Sequence, residues 1–295
     1  MQTDTPLATR FVCRCREVLW DTKTGIKSMS KIYPFGYNPA AVGMMQTRRA
    51  AASASLFLKH ASPGMRILDV GCGPGSITVG LAEALAPGKV TGIDIEASQI
   101  AIAEELAKSE GQRNCDFKVA SIFELPFEDS EFDAIYGHTI LMQFDDLNPV
   151  LSELKRVLKP GGLIGFREID FGANLYYPDD SAFKELMTIF RKSIAHNQGN
   201  PDIGRSLASS FSNSGFSIKE VFASYAQSTT EEAKKGMYSA MTALWEQADF
   251  PRQAVELGWI TDEERKELPN RLSQESTQPG SFNGTTYVEV VGTRT

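Results

Sequence analysis

A chain of 295 residues, 42% hydrophobic and 23% charged, is long enough to bury a substantial core and too apolar for wholesale disorder. A formal net charge of -7 supplies no basic stripe for a phosphate backbone or an anionic membrane, so neither nucleic acid nor a membrane is an expected partner. Four cysteines over this length make no disulfide framework.

The opening MQTDTPLATR is too polar for a secretory leader, and no apolar run approaches the roughly 20 residues of a membrane span. A reducing, cytoplasmic setting is the default expectation. Cys13 and Cys15 are spaced too closely for a usual zinc pair and have no obvious partner, so no metal site is expected. Residues 31–40, KIYPFGYNPA, combine three aromatics with two prolines and a glycine and read as turns. Residues 41–60 suit one apolar-faced helix, stopped by Ser62-Pro63-Gly64. Residues 1–60 thus form an N-terminal lid segment and helix ahead of a domain over 61–295.

From residue 66 strands and helices alternate. Strands are predicted at 66–70, 89–95, 115–119, 132–137 and 163–169, with helices at 76–86, 98–109 and 147–158 between them. The segment LKPGG reads as a helix stop and tight turn before the fifth strand. Helices follow near 181–195 and 203–213, a strand at 216–226, a charge-rich helical stretch at 231–275, and a closing strand at 285–293. Alternation at these lengths implies βαβ crossovers and a mostly parallel α/β sheet of seven strands, with helices on both faces. The helical excursions at about 170–200 and 231–280 read as cap insertions over the sheet's C-terminal edge.

The sharpest local signal is Asp69-Val70-Gly71-Cys72-Gly73-Pro74-Gly75, directly after an apolar strand and before a helix. Gly71 and Gly73 permit backbone angles or approaches that a Cβ would obstruct, and Gly75 lets the helix pack closely near a ligand. Asp94, at the end of the next strand, stands where a carboxylate would accept both ribose hydroxyls of an adenosine. NAD remains chemically open at this point. Pro74 beside the loop and Asp69 just before it sit badly with a diphosphate, whereas Asp69 suits the cationic methionine end of S-adenosylmethionine (SAM).

Four longer words resemble one family. MRILDVGCGPGSITVGLA at 65–82, VTGIDI at 90–95, ELPFEDSEFDAIYGH at 124–138 and ELKRVLKPGG at 153–162 are similar to class I SAM-dependent methyltransferases. The likeness is strongest to the small-molecule branch that includes the ubiquinone and menaquinone C-methyltransferases. It implies a Rossmann-like fold with SAM as cofactor and S-adenosylhomocysteine as product. Gly71, Gly73 and Gly75 would surround the methionine and ribose, Asp69 the amino end, Asp94 the ribose, and Ile95 the adenine. Ser121 and Ile122 stand where family members often carry an acidic adenine partner, and this chain lacks that carboxylate. Gly137, at the end of the fourth strand, would face the methyl group, and Tyr33 would close over SAM.

Among three histidines, His138 and His196 are the candidate proton acceptors or acceptor-orienting groups, because an imidazole titrates near neutral pH. His60, before the first strand of the sheet, reads as a structural cap. Tyr37, Arg48 and Arg167 are candidates for substrate binding. Lid-core packing would equally account for Tyr37 and an exposed helix face for Arg48, while Arg167 or Glu168, emerging from the fifth strand toward the cap, would select a polar substrate. The expected activity is methyl transfer to a small, partly apolar metabolite such as a quinone, a phenolic or a specialised metabolite, with C- or O-methylation favoured over N. A SAM-binding scaffold or regulator, and an NAD-dependent oxidoreductase, are the alternatives. A monomer or homodimer is expected.

Overall fold

The computed structural model describes residues 19–20, 27–28, 33–228 and 230–295. Cys13 and Cys15 lie outside the described residues, as does most of the expected lid over 1–30. The chain divides into two units, Met1–Ile32 and Tyr33–Thr295. In the first, the described residues form a two-residue antiparallel pair, β1 (Leu19–Trp20) with β2 (Lys27–Ser28).

The second unit opens with three short helices, α1 (Pro39–Gln46), α2 (Ala50–Ser53) and α3 (Ser55–His60), in place of the single helix expected over 41–60. Arg49 is extended, and Ala54 leaves helical angles, so the chain turns twice within the run. The first turn seats Ala50 against Gly80, where a Cβ on the glycine would fall 2.8 Å from that of Ala50. Then come β3 (Arg66–Val70), α4 (Ser76–Ala84), β4 (Lys89–Asp94), α5 (Ala97–Ser109), β5 (Cys115–Val119), β6 (Phe132–His138), α6 (Asn148–Val157) and β7 (Leu158–Ile169).

A three-residue strand, β8 (Leu175–Tyr177), leads to α7 (Ala182–His196), α8 (Leu207–Asn213) and β9 (Phe216–Gln227). Helices α9 (Glu231–Gln247), α10 (Phe250–Glu256) and α11 (Asp262–Ser276) precede β10 (Phe282–Arg294). No described helix is long and apolar enough to cross a membrane.

Strands β3 to β7 run parallel in the order β5-β4-β3-β6-β7. Strand β10 follows antiparallel, with β9 on its far side and β8 against its first residues. The seven expected strands are all present and β8 makes an eighth. LKPGG is no separate turn: β7 starts at Leu158, opposite Phe132, and resumes its register at Leu163, opposite Ala134. Alternation divides the sheet's side chains between two cores. Ile67, Ala134, Tyr136 and Leu163 pack with α3 and α4, while Leu68, Ile135, Ile164 and Phe166 pack with α6, α7 and α8. The chain leaves β3 toward β4 and β5, then returns to β6 on the other side. Order therefore reverses at the C-terminal end of β3, the place where open α/β sheets leave a ligand crevice.

The two helical excursions form one layer. Phe183 packs on Tyr238 (ring centroids 5.1 Å) and Phe190 on Phe250 (5.2 Å). Buried Glu275 of α11 accepts from the Ala182 N–H at 2.6 Å and the Tyr238 hydroxyl at 2.7 Å, so one carboxylate ties α7, α9 and α11 together. Phe35 stacks on Phe190 at 4.0 Å, and the Ala40 N–H donates to Gln247, which fixes residues 33–46 to the same layer.

Candidate functional site

The crevice is built on the loop after β3. Gly71 has φ +67° and Gly75 φ +80°, angles that side chains rarely adopt. A Cβ on Gly71 would overlap Cδ1 of Ile140, and one on Gly75 would fall 2.6 Å from the Cβ of Ala103, so both positions also need the bare backbone for contact. Gly73, between them, donates its N–H to Asp94 Oδ2 at 3.0 Å. Asp94 Oδ1 accepts from the Glu96 N–H at 2.9 Å, where α5 begins. One carboxylate thus joins the glycine loop to the end of β4. Burial holds its pKa above the usual carboxylate range, against the pull of those backbone donors.

Asp69 is 2% exposed and accepts a 2.6 Å hydrogen bond from Thr78. Burial, with Asp94 adding to it, pushes its pKa up to about 7. Next to Asp94, at the C-terminal end of β4, Ile95 is 50% exposed. Tyr33 and Tyr37 stand 5.5 Å apart, ring to ring, near enough to Asp94 to feel its charge. Burial raises both phenols, Tyr33 to about 12, so each is a neutral hydroxyl at working pH.

Ser121 follows β5, and the Ala120 N–H donates to the Asp94 carbonyl, which brings this segment to the same edge. The Ser121 hydroxyl accepts from the Phe123 N–H at 3.3 Å. Ile122 is 7% exposed and belongs to the core. Gly137 lies beside Val70 in the sheet, and a Cβ there would overlap the Phe166 ring, so core packing accounts for this glycine.

His138 is buried, with its Nδ1 3.2 Å from the Thr139 hydroxyl and its ring 5.9 Å from that of Tyr287. Burial first, and the charges of Arg48 and Arg167 second, hold its pKa well below the usual imidazole value. It is neutral. Arg48 follows α1 and makes no side-chain hydrogen bond or ion pair among the described residues, and its charge bears on Tyr33, His138 and Glu168. Arg167 donates to the Ala52 carbonyl at 2.8 Å, pairs with Glu289 at 3.5 Å and lies over the Tyr287 ring, while its buried Nε has no partner among the described residues. His196 is exposed at the end of α7, its ring against Trp259. His60 pairs with Glu220 at 2.8 Å. The structure gathers Tyr33, Tyr37, Asp69, the three glycines, Asp94, Ile95 and Ser121 at one edge, with Arg48, His138 and its strand neighbour Arg167 beside it; His196 lies at the end of α7. Among the described residues no cluster of three or more His, Cys, Asp or Glu is placed to hold a metal.

Two buried polar residues stand out in the structure, Gln99, which sequence alone does not single out, and Glu168. Gln99, on the first turn of α5, is 1% exposed, and neither its amide oxygen nor its amide nitrogen has a partner. A buried amide costs about 1–3 kcal/mol when left unpaired, so such a group marks a place where a ligand can complete the bonding. Glu168, on β7, is fully buried and accepts three backbone N–H groups of the turn after β6.

A family model described as a methyltransferase domain matches residues 61–253. The chain is 37% identical over 166 residues to an uncharacterized methyltransferase of Schizosaccharomyces pombe, covering 54% of this chain and 59% of that one. It is 38% identical over 180 residues to a probable methyltransferase of Aspergillus luteorubrus, covering 58% and 62%. With a demethylmenaquinone methyltransferase of Bacillus cytotoxicus it shares 33% over 162 residues, covering 51% and 65%. The matched stretch thus spans about three fifths of these relatives' length. Among solved structures, a putative methyltransferase from Bacillus halodurans superposes with a TM-score of 0.57 at 18% identity, over 83% of this chain and all of that one. Crevice, sheet order and sequence match agree: the chain belongs to the methyltransferase domain family, a class I Rossmann-like fold whose cofactor is S-adenosylmethionine.

Proposed function

We propose that this protein transfers a methyl group from SAM to a small, partly apolar metabolite of the quinone, phenolic or specialised-metabolite kind, with carbon or oxygen favoured over nitrogen as acceptor atom. The observation that carries the reading is the junction of the glycine loop with Asp94. It offers backbone amides, a carboxylate suited to ribose and the exposed Ile95 beside it, and the unpaired Gln99 amide lies on the first turn of the helix that follows. The names of two relatives support the acceptor class, and the second of them carbon as acceptor atom. One is the demethylmenaquinone methyltransferase already described, and the other is a sterol 24-C-methyltransferase of Gibberella zeae that is 36% identical over 124 residues.

The bound cofactor supplies an electrophilic methyl on a sulfonium. The chain's part is to hold donor and acceptor in line and keep water out. Asp94 and Gln99 hold the adenosine, Gly71, Gly73 and Gly75 give the methionine end room against the backbone, and Tyr33 and Tyr37 close the edge. Ser121 and Gly137 remain at the border of the site. Asp69, with its raised pKa, releases its proton most readily when a cation lies beside it, as the methionine end would. His138 serves as a neutral group that orients the acceptor by hydrogen bonding, since its environment resists a second proton. Arg48, without a protein partner among the described residues, attracts an acceptor oxygen that carries or develops negative charge. Isothermal calorimetry with S-adenosylhomocysteine and with NAD tests the cofactor half of the proposal. Binding of the former, weakened tenfold or more by Asp94→Ala, is expected. Preference for NAD, or an Asp94→Ala variant of intact fold and unchanged affinity, overturns it.

A further inference from the structure

We propose that Glu168 is a positioning residue for the cofactor loop, acting through Ile140. The inference rests on the reading of Gly71–Gly75 as that loop. Glu168 sits one residue from the C-terminal end of β7 with no exposure to solvent. Its Oε1 accepts the N–H of Ile140 at 2.9 Å and of Leu141 at 2.8 Å, and its Oε2 accepts the N–H of Met142 at 3.3 Å. These amides open the 3-10 helix Leu141–Gln143, and the first donors of a helix have no partner within it. No side chain of the turn itself caps them, so a carboxylate from the neighbouring strand does.

The turn needs such a clamp. Thr139 has φ +53°, an angle a β-branched residue adopts at a cost and keeps only when its surroundings over-determine it. What the turn carries is functional on both sides. His138 immediately precedes it. The Ile140 side chain fills the space that a Cβ on Gly71 would claim, so it forms one wall of the glycine loop. The cap docks on the same turn, through the Asn200 N–H donating to the Met142 carbonyl at 2.9 Å. Arg48 and Tyr33 are the charged and titratable groups that face Glu168. Glu168 therefore links the fifth parallel strand, the cap and the cofactor loop through three backbone bonds.

The alternative is that Glu168 stabilises the fold and nothing more, and the two differ in what moves. Glu168→Gln keeps an oxygen for Ile140 and Leu141 but turns an NH2 toward the Met142 N–H. Glu168→Ala loses all three bonds. The experiment measures ligand-free hydrogen exchange of the amides of Cys72 and Gly73, together with calorimetric affinity for S-adenosylhomocysteine. It is run on Glu168→Ala, Glu168→Gln, Ile140→Ala and the Glu168→Ala/Ile140→Ala double variant. Glu168→Ala is expected to speed that exchange and weaken binding by about tenfold each, with Glu168→Gln restoring most of both. The double variant is expected to bind no worse than Glu168→Ala alone, because both changes release the same contact.

A Glu168→Ala protein that melts earlier but keeps wild-type exchange and affinity overturns the proposal, and so do fully additive losses in the double variant. If Glu168→Ala does not fold, unchanged exchange in both Glu168→Gln and Ile140→Ala overturns it. If the wild type does not bind S-adenosylhomocysteine, the cofactor reading fails, while the ligand-free exchange still decides whether Glu168 clamps the loop.

Discussion

Substituting Gly71 by alanine separates the two demands the structure makes on the cofactor loop. The backbone there has φ +67°, and an L-residue in the left-handed region costs about 1–2 kcal/mol. The new methyl would also overlap Cδ1 of Ile140 and press on its Cβ and Cγ1, so the side chain must shift; overpacking of that kind costs a further ~1–3 kcal/mol. Gly111 is a matched control. Its φ is +69°, yet nothing lies within 4 Å of a Cβ built on it. Gly111→Ala therefore pays the conformational cost alone, about 1 kcal/mol after the stiffer unfolded chain is allowed for. Urea denaturation of both variants, with midpoints converted through a common slope, measures the difference. Gly71→Ala is expected to lose more by about 1–3 kcal/mol, and adding Ile140→Ala should recover part of that excess. Equal losses in the two single variants would refute the close approach of Ile140 to the loop.

Three further outcomes follow from the site. Gln99→Leu removes two unpaired polar atoms from the interior, so the ligand-free protein should melt no lower than wild type, while its affinity for S-adenosylhomocysteine falls by about tenfold. A variant with lower stability and undiminished affinity would show that the amide serves the fold. Asp69 has its pKa raised to about 7 by burial, against about 4 in an unfolded chain. The folded protein then holds more protons than the unfolded one between about pH 4 and pH 7, so this group's stabilisation is full below that window and is lost as pH rises through it. Denaturation of wild type and Asp69→Asn from pH 5 to pH 8 should show wild type losing a few kcal/mol relative to the variant; a pH-independent difference would contradict the burial argument. Arg167→Lys should lower stability, by breaking the contacts to Ala52 and Glu289, without changing the acceptor affinity of the folded enzyme. A selective loss of acceptor binding would instead favour a substrate-binding role for Arg167.

The parallel half of the sheet was legible because its signals are local. RILDV ends in glycines, and KVTGID carries its aspartate at a helix start, so pattern and turn chemistry agree without tertiary help. Where tertiary contact decides, the sequence was silent. Nothing in an alanine-rich run announces that α1, α2 and α3 break at Arg49 and Ala54, since the break is set by docking on Gly80. Strand β8 is three residues long and exists through its pairing with β10. LKPGG has the composition of a turn, yet Gly161, with φ +72°, lets it bulge within β7.

The site divides in the same way. The glycines, Asp69 and Asp94 follow from spacing. Gln99 reads as one more polar residue of a helix, and Glu168 as an alternative to Arg167 for selecting a polar substrate. Only the burial of the one and the three backbone donors around the other reveal them. The partners of Arg167 were illegible for the converse reason, because the carbonyl and carboxylate that engage it come from α2 and β10, 115 residues before it and across the sheet after it.

The central claim is transfer of a methyl group from SAM to a free small molecule. It is tested most directly by incubating the purified protein with methyl-labelled SAM and a native metabolite extract, then following the label by mass spectrometry. A single labelled small metabolite, with label lost in Asp94→Ala, is the predicted result. Label on protein or RNA would contradict the substrate class. Cofactor binding without transfer to any component would contradict the enzymatic reading itself.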